Sequence, residues 1–465
     1  MLLTFGILLA VILQFGSQFQ PTIPRQNNAV SGEGVSSGGI QSFYSSLQQP
    51  LPVLLLQIVA IIILARVMGY LFEKIRQPAV IGEMMAGILL GPSLLGILAP
   101  QVEIFLFPPA TFDILKMLSQ LGVILFMFSV GLEMDLTALR RKAHTAVMVS
   151  HAGILLPFLF GTGLSLVLYR LLSVSNIPFS TFALFMGIAM SITAFPVLAR
   201  ILEERGLSKT QIGVTAIACA AVDDVTAWCI LAVVVAIVKS SGMGDAFLTI
   251  SLTLAFVAIM MLLIKPWAGR LLGRLKIETV PGRNLLAVVF AFAFLSALLT
   301  EAIGIHALFG AFLAGMVISQ NENLRRYLKQ NIEIFSSAFL LPLFFAYTGL
   351  RTQVGLLAGW QSWLVCIGII LVAIAGKLGG STLAARWTGM SWHDSATIGA
   401  LMNTRGLMEL IALNIGYDLG ILSPELFAMM VLMALVTTFM TSPLISLFSW
   451  LKERSVSAPA PVEQT

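Results

Sequence analysis

From residue 51 to residue 449 the sequence is a succession of apolar runs of bilayer-spanning length, separated by short polar loops. A helix rises about 1.5 Å per residue, so roughly 20 apolar residues cross a hydrocarbon layer about 30 Å thick. Lipid offers the backbone no hydrogen bonds, so such runs have to be helical. They fall at 51–72, 78–98, 113–132, 145–169, 179–199, 211–238, 246–264, 284–301, 305–319, 334–350, 360–385, 395–416 and 425–449. The ninth is short enough to be partly re-entrant. Composition excludes the soluble classes: 58% of the 465 residues are hydrophobic, 11% are charged, and the mean hydropathy is +0.95. A soluble domain carries about 25% charged residues, so this chain lacks the charge to build a water-facing surface. The net charge of +5 does not point to nucleic acid, because the basic residues sit between apolar runs, where they orient a membrane protein. Cys219, Cys229 and Cys366 lie inside apolar runs without metal-ligand spacing and read as packing thiols.

Residues 1–16 form an apolar leader, either a signal peptide or an extra N-terminal helix. Residues 17–50 are rich in Ser, Gly, Gln and Pro and read as a polar external linker. The transmembrane domain is 51–450, and 451–465 is a short cytoplasmic tail. Of the 27 Lys and Arg residues, 20 follow odd-numbered runs or lie in the tail, 4 lie on the opposite side and 3 lie within runs. Cytoplasmic loops carry the positive excess, which places the linker outside and the C-terminus in the cytoplasm. Thirteen runs divide as six, one and six, and a second six-helix unit that begins seven runs after the first is inserted upside down. The expected fold is therefore all-α and polytopic, with about 13 transmembrane helices as two inverted six-helix repeats joined by a linker helix.

Charges at bilayer depth cost at least about 2.5–3.5 kcal/mol on insertion scales, so each one requires an explanation. Asp223 and Asp224 lie near the middle of the sixth run, in Ala220-Ala221-Val222-Asp223-Asp224-Val225-Thr226-Ala227-Trp228. Adjacent residues point about 100° apart on a helix, so the two carboxyl groups can bracket one small cavity. A buried carboxyl group holds either a proton or a hard cation, and competition between the two is sufficient for exchange. Lys377, in Ala375-Gly376-Lys377-Leu378-Gly379-Gly380, is far from either end of its run and calls for an acidic partner, Asp223 or Asp224.

Two runs look interrupted. The fifth reads Met190-Ser191-Ile192-Thr193-Ala194-Phe195-Pro196-Val197, and the twelfth contains Met402-Asn403-Thr404-Arg405-Gly406-Leu407-Met408-Glu409. Irregular backbone at membrane depth is tolerated where it is buried in protein or lines a cavity, and discontinuous helices in corresponding halves point to an ion site. Thr193 with unwound carbonyls is expected to supply ligands, and Arg405 with Glu409 to set half-helix packing. Glu83, Glu301, His151 and His306 read as structural, and Gly310 with Gly315 as a close helix crossing.

The stretches Ile75-Arg76-Gln77-Pro78-Ala79-Val80-Ile81-Gly82-Glu83 and Gly87-Ile88-Leu89-Leu90-Gly91-Pro92-Ser93 resemble the second helix of the monovalent cation:proton antiporter-2 family. So do Phe128-Ser129-Val130-Gly131-Leu132-Glu133-Met134-Asp135, Thr193-Ala194-Phe195-Pro196-Val197-Leu198-Ala199-Arg200, and Leu341-Pro342-Leu343-Phe344-Phe345 with Gly349-Leu350-Arg351-Thr352. The run Asn403-Thr404-Arg405-Gly406-Leu407-Met408-Glu409-Leu410 is similar to that of bacterial sodium/proton antiporters and plant cation/proton exchangers. The resemblance covers residues 51–450 in order. It implies a core domain moving against a dimerisation domain, with two crossed broken helices at the ion site and a homodimer as the working unit.

It also implies that Asp224 binds the cation, Na+ with Li+ or K+ as alternatives, together with Asp223 and Thr193. Asp223 is implied to pair with Lys377, the arrangement of electrogenic members. Ser191, Pro196, Asn403, Thr404, Arg405 and Glu409 are the broken-helix support. No cofactor is expected beyond the transported ions, and no enzymatic activity. The family's potassium-efflux members carry a C-terminal nucleotide-binding domain, whereas only 451–465 follow the last run here. No soluble regulatory domain is therefore expected. The membrane is a bacterial-type plasma membrane or an internal energised one such as the thylakoid. The rival readings are a K+/H+ antiporter of the same fold and a passive cation channel. An intramembrane aspartyl protease would place its aspartates on two helices, with Gly-x-Gly-Asp on the second, and a metalloprotease needs His-Glu-x-x-His.

Overall fold

The computed structural model describes residues 49–134, 143–174, 177–239, 243–274 and 282–456. The leader 1–16, nearly all of the 17–50 linker and most of the 451–465 tail lie outside the described residues. Among those described, regular structure is helical, apart from one isolated bridge between Ser173 and Leu422.

The helices follow the apolar runs. They are α1 (Pro50–Lys74), α2 (Ala79–Leu90), α3 (Pro109–Glu133), α4 (Ala143–Leu172), the half-helices α5a (Phe179–Ala189) and α5b (Phe195–Glu204), and α6 (Gln211–Lys239). Next, α7 runs from Met243–Ala258 through a π segment, Ile259–Ile264, into Lys265–Arg274. It is followed by α8 (Arg283–Ile303) and α9 (Ala307–Ile318). Then α10 joins Glu322–Phe335 to Leu341–Arg351, and α11 joins Trp360–Ile374 to Gly380–Trp387, each through a π segment. The half-helices α12a (Trp392–Met402) and α12b (Leu407–Asp418) precede α13 (Pro424–Val456). Ten helices are long and apolar enough to cross a membrane among the described residues, whereas α5a and α9 are shorter. Large apolar side chains such as Leu159, Leu262, Leu298 and Leu364 stay exposed on the perimeter, as a lipid-facing surface requires.

Packing divides the helices into two bundles. One contains α1, α2, α3, α8, α9 and α10; the other contains α4, α5, α6, α11, α12 and α13; α7 touches both. Small residues set the crossings in the first bundle. A Cβ on Gly315 would sit 2.2 Å from the Phe128 carbonyl oxygen, and one on Gly131 would sit 2.1 Å from that of Phe312. Apolar side chains gain nothing by leaving lipid for a protein interface, so backbone closeness of this kind is what holds such helices together. Gly315→Val is expected to force α3 and α9 apart at a cost of about 1–3 kcal/mol or more. The check is the thermal stability of the detergent-solubilised protein, which should fall clearly below that of the parent.

The loops alternate between two faces. One bears the start of α1 at Pro50, together with the ends of α6, α8, α10 and α12b; the other bears the end of α1 at Lys74, together with the ends of α5b and α9. They are called below the Pro50 face and the Lys74 face.

Candidate functional site

Four interruptions in regular α-helix or its apolar lining meet inside the second bundle: the break in α5, the acidic pair on α6, the π segment of α11 and the break in α12. Each follows from local sequence. Pro196 occupies the first turn of α5b, where its missing N–H costs no intrahelical bond. The α12 break turns at Gly406, whose φ of 152° is strained for any residue with a Cβ. The π segment Ala375–Gly379 contains three glycine or alanine residues that can crowd against α4, and it carries Lys377.

The two breaks cross in contact. The Ala194 N–H donates to the Thr404 carbonyl at 3.0 Å. Arg405 reaches across to the open end of α5a, where its guanidinium donates to the carbonyls of Ala189 at 3.1 Å and Met190 at 2.5 Å. The same group pairs with Glu409 at 2.9 Å, both side chains being wholly buried. A cation at a helix C-terminus and an anion in a first turn both match the helix dipoles. Thr438 on α13 closes the α12 break from outside, accepting from the Arg405 N–H at 3.1 Å and donating to its carbonyl at 2.8 Å. Thr404 donates to Thr441 on the same helix at 3.3 Å.

Asp223 and Asp224 are 0% and 1% exposed and have opposite surroundings. Asp223 is saturated. Its Oδ1 accepts from Ser150 at 3.0 Å, while its Oδ2 lies 2.6 Å from the Lys377 ammonium and also accepts from the Thr193 hydroxyl. Lys377 in turn donates to the Ser191 carbonyl at 2.5 Å, so one ammonium ties α6, the α5 break and α11 together. Both members of this pair are fully buried. Asp224 is the reverse: neither carboxylate oxygen has a hydrogen-bond partner. It opens onto a small cavity of about 10 Å3 lined by Ile192, Ala227, Trp228, Leu231 and Met408, room for about one water.

The geometry thus brings together Asp223, Lys377, Thr193 and Ser191, and joins Arg405, Glu409 and Thr404 to the crossing. Thr193 faces Asp223, not Asp224. Asn403 is buried with both amide atoms unpaired. Ser150, Thr438 and Thr441 take part without having been singled out in the sequence. A lone Ser in an apolar run gives little signal, but the cluster Thr437, Thr438, Thr441 and Ser442 in the last run was a readable one.

An unpaired acid beside a saturated one, framed by two crossed discontinuous helices, defines an ion-coupled secondary transporter. The family model for the transmembrane region of sodium/hydrogen exchangers matches residues 59–450. The chain belongs to the sodium/hydrogen exchanger family. It is 45% identical over 393 residues to the Na(+)/H(+) antiporter NhaS4 of Synechocystis, covering 84% of this chain and 96% of that protein. It is 42% identical over 422 residues to Cation/H(+) antiporter 17 of Arabidopsis thaliana, covering 88% of this chain but 50% of that longer protein. The structure of the sodium proton antiporter MjNhaP1 from Methanocaldococcus jannaschii at pH 8 superposes with a TM-score of 0.61 at 17% identity, covering 88% of this chain and 99% of that one. That likeness supports the all-helical antiporter fold.

Proposed function

We propose that the chain exchanges Na+ for H+ across a membrane, with Asp224 as the group that holds either ion in turn. The observation that carries this is the contrast within the acidic pair: Asp223 has every oxygen engaged, whereas Asp224 is buried with both oxygens free. Carboxylate and carbonyl oxygens suit hard cations, and at this depth a bare carboxylate has to take up a counter-ion, Na+ or H+. Asp223 and Thr193 can join as ligands only when the Lys377 bond releases. Lys377 then holds a proton while Asp223 is paired and loses it when cation is bound, so exchange moves net charge. Thirteen spans in two inverted repeats, a cytoplasmic C-terminus, a homodimer and a plasma or internal energised membrane complete the proposal. The orientation rests on the bias of basic residues in the loops.

The test uses proteoliposomes with a pH dye inside. Added Na+ should move protons in the opposite direction, and an imposed voltage should change the rate. Na+ flux without proton counter-flow would convert the reading to a channel, and a response to K+ alone would convert it to K+/H+ exchange.

A further inference from the structure

The half-helix α12b links the Asp224 cavity to a second, larger cavity. Met408, in its first turn, lines the small cavity at Asp224. Ile411, one turn further on, lines a cavity of about 320 Å3 at the Pro50 face, together with Ser119, His306, Asn414 and Asp418. From Met408 to Asp418 is ten residues, or about 15 Å of helix. Met408 and Ile411, one turn apart on α12b, thus face one cavity each, and Glu409 between them in sequence is engaged by Arg405.

The rim of the larger cavity is held by charge. Asp418 ends α12b, and its Oδ1 accepts from Arg351 at 2.5 Å while Oδ2 lies 3.2 Å from Lys116. A second nitrogen of Arg351 donates to Asn414, one turn back, at 3.1 Å. The guanidinium also lies 4.5 Å from the Tyr347 ring centre and 4.9 Å from that of Tyr417. Arg351 and Lys116 belong to the first bundle and Asp418 to the second, so this clasp bridges bundles that otherwise touch sparsely. At 14% side-chain exposure for Arg351, with two hydrogen-bonded side chains and two rings around it, the clasp is unlike a solvated surface pair. On the Lys74 face the corresponding bridge, Arg200 with Glu73, is more than 40% exposed on both sides.

We propose that the larger cavity is the entry for the cation from the Pro50 side, that Met408 and Ile411 are its dry floor, and that Arg351, with Lys116, is the positioning residue that keeps the floor shut through Asp418. This rests on Asp224 being the ion-binding group. While the clasp is made, α12b is fixed against the first bundle, and the Met408 and Ile411 side chains separate water from Asp224. When it releases, α12b is free to shift and the two cavities join.

The test is thiol accessibility in right-side-out vesicles, in a background with Cys219, Cys229 and Cys366 replaced by Ser. Gln120→Cys, at an exposed position lining the large cavity, should react readily with a membrane-impermeant thiol reagent added outside. Ala227→Cys, at the Asp224 cavity, should react slowly. Adding Asp418→Asn, or separately Arg351→Gln, should speed labelling at Ala227→Cys about tenfold, whereas Arg351→Lys should leave it slow. Unchanged labelling at Ala227→Cys in both clasp variants, or labelling of Gln120→Cys from the other side only, overturns the proposal. Na+-driven proton exchange in the same vesicles separates the two levels: normal exchange in Asp224→Asn would remove the ion-site reading, while the labelling pattern judges the gate by itself.

Discussion

Replacing Asp224 by Asn is expected to reduce Na+-driven proton movement in proteoliposomes to the level of protein-free liposomes, while the protein stays folded. Asn is the same size, so packing around Ile192, Trp228 and Met408 is kept. What is lost is the negative charge and the ability to take up a proton. The present carboxylate has no hydrogen-bond partner to lose, so the substitution removes function without breaking a network. Removing a buried unpaired acid relieves a desolvation cost, and the melting temperature of Asp224→Asn in detergent should equal or exceed that of the parent. An inactive variant with a lowered melting temperature would instead mark Asp224 as structural. This pairing of lost transport with undiminished stability separates an ion-binding acid from a packing one.

The opposite pattern is expected at Lys377. Its ammonium bonds to Asp223 and to the Ser191 carbonyl, with neither charged partner exposed. Lys377→Ala leaves Asp223 with Ser150 and Thr193 but no counter-charge. Breaking a buried pair from one side costs about 3–5 kcal/mol, whereas replacing both partners is far milder. The single variant should therefore melt well below the parent, and Asp223→Asn with Lys377→Met should recover most of the loss. A double variant no more stable than Lys377→Ala would show that the pair is not what Lys377 supports. Transport is expected to lose its dependence on imposed voltage, because the group proposed to carry the extra proton is gone.

Much of the architecture was legible in the residues. Length and apolarity of the runs require membrane helices, since lipid leaves the backbone no other way to satisfy its hydrogen bonds. The positions of Asp223, Asp224 and Lys377 stood out because a charge at that depth is too costly to be incidental. The two breaks were visible for the same kind of reason, as hydroxyls with Pro196 and as Asn403, Thr404, Arg405 and Gly406 interrupting apolar runs. The ninth run, short enough to be partly re-entrant, folds as the short helix α9, whose glycines bring it against α3 and α8. Sequence pattern does not separate a short buried helix from a re-entrant one, because both are apolar throughout.

Side-chain partnership was decided elsewhere. Nothing in the order of residues says that Ser150 bonds to Asp223, that Thr193 turns to Asp223 and not to Asp224, or that Arg405 reaches from one broken helix to cover the carbonyl end of the other. Those pairings join residues up to 216 positions apart, and each depends on how helices rotate about their axes when they pack. A rotation of one residue, about 100°, would exchange the surroundings of the two aspartates. The sequence by itself thus determined that this chain is a bundle of membrane helices with buried acids at two broken segments, because the cost of burying charge and bare backbone in lipid can be read from single residues. Which acid is saturated and which is left free to bind an ion was decided only by the tertiary structure, because that depends on the relative rotation and depth of four helices distant in the chain.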